Sequence, residues 1–502
     1  MCRRAYAFLI GVNVAILPFI SAPASGFREE KEAESLAFNP ELRHAWSDLI
    51  YLDLANCRRR CRPYIERDSP DPAALYLDHL ALCAGMLTDD PSTDYEGFKT
   101  LEEHWLRKAG SLPAETPFQL FLISEIRLRG ALVRLKYGEN TSAFWNFRQA
   151  YLMARKNIGK FPGFTASQKT LGLLEIAFGN SPDQYHWMLR LLGIQPDAVS
   201  GMERLQKASL LNDPLGMESQ LLIALAQTYL IGDTSGSEKT LGQLLVKFPN
   251  SALLCYIYGS VAMKNSESEK ALGRMPAQGD AAYRRLPPLH YILGEIYLQK
   301  QDYDASVSEY GKFLALHRGK NLIKDAHFKT AMAYWLSGRE NEARKVLDVA
   351  AVSGEQSAEV DKNADYSIRS GKLPNPDLLR VRYSTDGGYY PAAELVIKGL
   401  DQAAFTNDEE RTEYQYRLGR LRHKQRRIAE AITSYRRTVE LQGSNSWYYA
   451  PNACLQLGDL YRQSGDTEKS LQFYKLAASY KDHPYSVSIR NKARHAMNAM
   501  KQ

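Results

Sequence analysis

The densest run of chemistry-bearing side chains is Arg417, Arg420, Arg422, His423, Lys424, Arg426 and Arg427, followed by Arg436 and Arg437. Clustered guanidinium groups hold carboxylates and phosphates through charge-assisted, often paired hydrogen bonds. Such a run can serve anionic lipid headgroups, a polyanionic glycan or an acidic protein. It is also the composition of a solvated face near helix ends, where positive charge offsets the helix dipole. No pattern for bond-making chemistry accompanies it. Lys160, Lys312, Lys320 and Lys372 lack a glycine-rich phosphate loop at the required spacing, and Gly232-Asp-Thr-Ser-Gly236 has Thr where a hydrolase nucleophile needs Ser. The ten histidines are scattered, none in a His-Glu-x-x-His arrangement, and His79, His186 and His327 read as ordinary helix residues. The expectation is a protein without catalytic residues, metal or cofactor; carboxylates meeting across a groove, as in glycan-cleaving enzymes, remain a third and lesser reading.

The cysteines leave two readings open. Cys57 and Cys61 lie four apart on a helix, and Cys83 lies on a later one that could pack beside it. Either of the first two could bridge to Cys83 in an exported protein, or all three could be reduced and fill small core sites. Cys255 and Cys454 each fall four residues before a glycine, Gly259 and Gly458, and read as buried.

At 502 residues, 44% hydrophobic and 24% charged, the chain can form two or three domains or one long array whose core grows by stacking. Its net charge of +7 forces no nucleic-acid reading, and Arg3 and Arg4 fall in a segment expected to be removed. That segment, residues 1–24, has a basic head, an apolar stretch from Ala5 to Ile20 and small residues at Ala22-Pro-Ala24. It reads as a secretory signal peptide, being shorter than the ~20 apolar residues a spanning helix needs. The expected location is therefore the periplasm or cell envelope, or outside the cell, with no transmembrane segment afterwards.

The elements that position these residues repeat. From Pro287 to Ala350, Leu293-Gly294, Tyr297, Ser306 and Tyr310 are answered by Ala331, Tyr334, Gly338, Ala343 and Leu347. Small residues let two antiparallel helices approach, and aromatics fill the space beside them. The small slots continue through Ala131, Gly172, Ala226, Gly259, Gly294, Ala331, Val381, Gly419 and Gly458, mostly in the mid-thirties of residues apart, which signals stacked helix pairs. The two longer gaps, after Gly172 and after Ala331, predict additional helices around Gly201–Leu205 and over Glu355–Ser370. Before the repeats, His44–Arg60, Ala73–Leu87 and Tyr95–Lys108 read as three helices separated by Pro and Asp punctuation, including Asp89-Asp-Pro91. The expected class is all-α, with a helical cap over 25–116, degenerate hairpins over 117–285, two clear repeats over 286–350, an extra helix and a hairpin over 351–410, and two repeats with a capping helix over 411–502.

Leu293-Gly294…Tyr297…Ser306…Tyr310 and Leu457-Gly458…Tyr461…Gly465…Ser470…Tyr474…Ala477 resemble the tetratricopeptide repeat. The resemblance runs from Pro117 to the C-terminus. Leu171-Gly-Leu-Leu174 with Trp187 and Leu192-Gly193, Gly319-Lys-Asn321 with Lys324-Asp-Ala326, and Asp386-Gly-Gly-Tyr-Tyr390 also resemble a family of exported bacterial tetratricopeptide proteins, and the middle blocks are similar to proteins of the tetratricopeptide repeat protein 39 type. The resemblance implies a right-handed α-solenoid whose first helices line a concave groove that holds another protein. Projected onto that architecture, Tyr291, Phe328, Trp335, Arg382, Tyr416, Arg420, His423, Lys424 and Arg462 face the groove. An aromatic and basic surface of this kind suits an acidic peptide; Phe328 and Trp335 could instead pack against the neighbouring insertion. The leading expectation is a non-catalytic envelope scaffold for a protein or peptide; the runner-up binds glycan or lipid headgroups through the Arg417–Arg437 face.

Overall fold

Helix follows helix because apolar positions recur at helical spacing, Pro and Asn/Asp/Thr start the segments, and turn residues end them. The computed structural model describes residues 34–88, 94–181, 186–231, 235–356, 358–401, 405, 407–483 and 485–500. The signal-peptide segment, the Asp89-Asp-Pro91 punctuation and most of Gly232-Asp-Thr-Ser-Gly236 lie outside them. Among the described residues there are 26 α-helices, one π-helical turn and no strand. Starts follow the expected chemistry: Asn375 accepts from the Asp377 and Leu378 amides ahead of Pro376, and Asn407 accepts from the Glu410 amide.

The chain forms two units. The first comprises residues up to Ala262 with Gly273–Leu289 and Leu316–Gly319; the second comprises Met263–Leu272, His290–Ala315 and Lys320–Gln502.

In the first unit the expected helix His44–Arg60 is two helices, Pro40–Ile50 and Leu54–Ile65. Leu52 takes a left-handed conformation (φ 56°) and Asp53 caps the second helix through the Asn56 amide. A Leu at a break carries no sequence signal, so helical periodicity runs through it. Helices Pro117–Lys136 and Asn140–Lys160 form a hairpin, and Ala166–Gly179 lies against Ala198–Ala208. There the two backbones meet: a Cβ on Gly172 would stand 2.7 Å from the Gly201 carbonyl oxygen, and a Cβ on Gly201 the same distance from that of Gly172. The long gap after Gly172 holds two helices, His186–Leu191 and Ala198–Ala208.

Four helices of this unit bury a charged knot. Lys169 donates to Glu125 Oε2 (2.9 Å), Glu218 Oε2 (2.6 Å) and the Tyr76 hydroxyl (2.9 Å), and Arg129 donates to Glu125 Oε2 (2.7 Å) and the Tyr76 carbonyl (3.1 Å). All four charged side chains are buried. Burial alone would raise the Glu125 carboxyl, but Lys169 and Arg129 bring it below its ordinary value.

The second unit runs through five hairpins: Pro288–Lys300 with Tyr303–Leu316, Ile323–Leu336 with Glu340–Val352, Pro376–Gly387 with Tyr390–Gly399, Asp408–Lys424 with Ile428–Gln442, and Tyr449–Gln463 with Thr467–Ser479, ending at Ser486–Ala499. Each hairpin turn has one left-handed residue, namely Gln301, Gly338, Gly388, Arg426 and Gly465. Gly388 is required twice over, by φ 86° and because a Cβ there would stand 1.9 Å from the Ser266 carbonyl oxygen. An additional helix, Glu359–Arg369, follows the second hairpin, and its Asp361 accepts the Leu322 and Asp325 amides (2.8 and 3.1 Å) at the start of Ile323–Leu336. Burial, opposed by those amides, pushes the Asp361 carboxyl up to about 6. Val381–Thr385, which looks briefly strand-like in sequence, is helical.

Candidate functional site

Three hairpins of the second unit repeat one local design, and the departure in one of them makes the site. At Gly294 and Gly458 the missing Cβ gives room to a tyrosine sixteen residues later: a Cβ would stand 2.8 Å from Tyr310 and 2.6 Å from Tyr474. Ser306 and Ser470 donate to the two glycine carbonyls (2.9 and 2.8 Å), and the tyrosine hydroxyls donate to the acid that follows each glycine, Tyr310 to Glu295 (2.5 Å) and Tyr474 to Asp459 (2.6 Å). At Gly419 the tyrosine is present, Tyr435, with a Cβ-to-ring distance of 2.7 Å. The acid is not: Arg420 stands in its place.

Arg420 therefore turns to the neighbouring first helix. Its guanidinium lies 2.8 Å from Asp386, which also stands 3.9 Å from Arg382. Both arginines are about a third exposed. Asp386 raises the basicity of Arg420. One helical turn beyond it, Lys424 has no hydrogen bond or ion pair among the described residues; burial and then Arg420 lower its pKa. Arg382 and Arg420 thus share the Asp386 carboxylate, while Lys424 feels the charges of Asp386 and Glu267 without a direct ion pair. His423 is likewise held below its ordinary range by burial and by Lys424. Arg462, at the edge, is half exposed and 3.7 Å from Asp459.

Tyr416, expected to face the groove, is buried beneath it, with ring centroids 5.8 Å from Tyr449 and 6.1 Å from Tyr448. Arg417 is buried with them, donating to Glu413 and to the Tyr448 hydroxyl (2.6 Å). Tyr448 continues to Tyr485 at 5.3 Å. This tyrosine-arginine floor supports Arg420 from below.

At the other end, Tyr291 is half buried and donates to Asp325 (2.5 Å), while Lys329 bridges Glu295 (2.6 Å) and Asp325 (3.0 Å). Phe328 and Trp335 pack on a core cluster beside Leu373, and the Trp335 indole donates to the Pro374 carbonyl (2.9 Å). Of the two readings left by the sequence, this is packing against the insertion: the segment that closes the additional helix occupies the indole's polar edge.

The remaining basic run is largely paired. Arg422 binds Glu394, Arg427 binds Glu430 (2.6 Å), Arg437 binds Glu440 (2.9 Å), and Arg436 donates to the Tyr461 hydroxyl (2.9 Å). Cys57, Cys61 and Cys83 are free, buried thiols. Cys57 and Cys61 sit a turn apart on one helix, and Cys83 lies 3.7 Å from a ring nitrogen of His79. Burial raises the Cys57 and Cys83 thiols, which removes nucleophilic character.

Sequence reasoning missed Asp386, Glu413, Arg417 as floor, Asp325 and Lys329. The signal was there: Arg382 with Asp386, Glu413 with Arg417 and Asp325 with Lys329 are charge pairs four apart on first helices.

Stacked hairpins with small-residue slots and a basic, tyrosine-rich wall define a helical repeat protein. Tetratricopeptide repeat models match residues 218–251, 291–358, 412–445 and 451–483. The chain contains tetratricopeptide repeats, which support a protein-interaction scaffold in general. No curated protein matches it. Among solved structures it is similar to yeast Tom70 (12% identity, 91% of this chain and 88% of that one, TM-score 0.27). It is also similar to the APC/C hetero-tetramer Cut9–Hcn1 (11%, 90% and 96%, 0.22) and to the TPR domain of P58(IPK) (13%, 85% and 99%, 0.20). At such TM-scores these add nothing to the repeat match.

Proposed function

We propose that the chain is a non-catalytic scaffold, exported by residues 1–24 to the cell envelope, that holds an acidic segment of a partner protein against Arg382, Arg420 and Lys424. The observation that carries this reading is the replacement of the repeat's acid by Arg420 beside an unpaired Lys424. A cation placed where its own repeat neighbours place a carboxylate, over a rigid aromatic floor, is pre-organised to meet carboxylates brought by another chain. The buried tyrosines beneath hold it in place, so little side-chain freedom is lost on binding. The ion pairs along Arg422, Arg427 and Arg437 favour this over headgroup binding through the whole basic run.

Affinity capture from envelope extracts tests it. Wild-type protein recovers a partner whose binding weakens as salt is raised, and Arg382→Glu/Arg420→Glu reduces recovery by roughly tenfold or more, since each reversal adds repulsion to lost attraction. Arg437→Glu, on a second helix, leaves recovery unchanged. Equal recovery by the double variant and the wild type would remove the groove reading.

A further inference from the structure

We propose that the first unit carries a second, independent surface that docks on an anionic lipid bilayer, formed by helix Asn140–Lys160 and the short helix His186–Leu191. Trp145, Trp187 and Leu191 are 48%, 66% and 78% exposed. Scattered apolar side chains are ordinary on a protein surface, but two indoles and a leucine on adjoining segments are not needed by the core beneath them.

The two segments are fastened together. Arg148 Nε donates to the Leu192 carbonyl (2.9 Å), and the Tyr151 hydroxyl accepts the Gln195 amide (3.1 Å). Both pairings fall just past the short helix, on either side of the Gly193 turn, and tie that end of it to helix Asn140–Lys160. Arg148 also lies 5.8 Å from the Trp145 ring centroid, so a cation and an indole form one surface feature. Leu189, on the opposite side of the short helix, is buried and anchors it.

Charge selects the occupant. Residues 140–160 and 186–196 contain Arg148, Arg155, Lys156, Lys160 and Arg190 and no Asp or Glu. Lys156 and Lys160 are engaged by Glu115, which leaves the three arginines to set the character of the face. Indoles with one apolar and one hydrogen-bonding edge settle at the headgroup boundary, leucine reaches the acyl region, and guanidinium groups pair with phosphates. An acidic protein would match the charge but would not call for exposed Trp187 and Leu191 at the tip of a short helix. Among the described residues no helix is long and apolar enough to cross a membrane, so the contact proposed is peripheral.

Co-sedimentation of the purified chain with vesicles of phosphatidylglycerol mixed with phosphatidylcholine, beside vesicles of phosphatidylcholine alone, decides it. The expected result is binding to the anionic vesicles with tryptophan emission moving to shorter wavelength. Trp187→Ser/Leu191→Ser and, separately, Arg155→Gln/Arg190→Gln lower partitioning by roughly tenfold while the helical circular dichroism stays unchanged. Groove capture persists in both variants, which separates this surface from the partner-binding one. No vesicle binding, equal binding to neutral vesicles, or undiminished binding by Trp187→Ser/Leu191→Ser would overturn the proposal. Capture of an acidic protein through this face without vesicle binding would overturn it as well.

Discussion

Lys169→Met is expected to destabilise the first unit by about 3–5 kcal/mol, the cost of leaving a buried ion uncompensated. Lys169 is the cation shared by Glu125 and Glu218, and Arg129 reaches only the first of these. Glu218 would keep the Tyr76 hydroxyl as its remaining donor, at 2.6 Å, while its other oxygen already has no hydrogen-bond partner. Methionine fills the stem volume of lysine, so the loss reports on charge and not on a cavity. Hydrogen exchange read by mass spectrometry should show faster exchange across helices Pro72–Thr88, Pro117–Lys136, Ala166–Gly179 and Pro214–Ala226. Adding Glu218→Gln should return much of the loss, because the pair leaves together. A Lys169→Met chain with wild-type protection in those helices would show that the knot is not the interior tie described here.

The knot was not legible in the sequence, and the reason is physical. Glu125 and Arg129 are a pair four apart on one helix, but Lys169 and Glu218, which complete the knot, come from two other helices, and their joining it is decided by tertiary packing. The hairpins were legible because one constraint repeats: Gly294, Gly419 and Gly458 must be small for Tyr310, Tyr435 and Tyr474 to pack on them. Arg382, Arg420 and Lys424 were assigned to first helices from the same register, and they lie on them. Tyr416 and Trp335 were placed correctly on first helices but not in exposure. A helix position fixes a direction; whether a tyrosine floor or an inserted loop covers it depends on neighbours outside the repeat.

Lys329→Met should produce the second large effect, and one that depends on pH. Lys329 stands between Glu295 and Asp325, and burial already raises Asp325 above its ordinary value despite that ammonium group. Without the lysine the Asp325 carboxyl rises further. A carboxyl whose folded pKa exceeds its unfolded value of about 4 binds protons more readily in the native chain, so stability falls as pH rises through that interval. The variant should therefore lose about 3–5 kcal/mol at neutral pH and recover part of it in mild acid. Calorimetry of both proteins at neutral and mildly acidic pH measures this. A deficit that is constant, or that grows on acidification, would contradict the assignment of Lys329 as the balancing charge.

The most direct test of the groove is photocrosslinking in intact cells, with a photoreactive amino acid at His423 or Arg462 on the first helices, and at Lys345 or Arg437 on the second. The account predicts a discrete partner adduct from 423 and 462 that disappears when Arg382→Glu/Arg420→Glu is added, and none from 345 or 437. An adduct formed from the second helices and absent at 423 and 462 would place the partner on the other face.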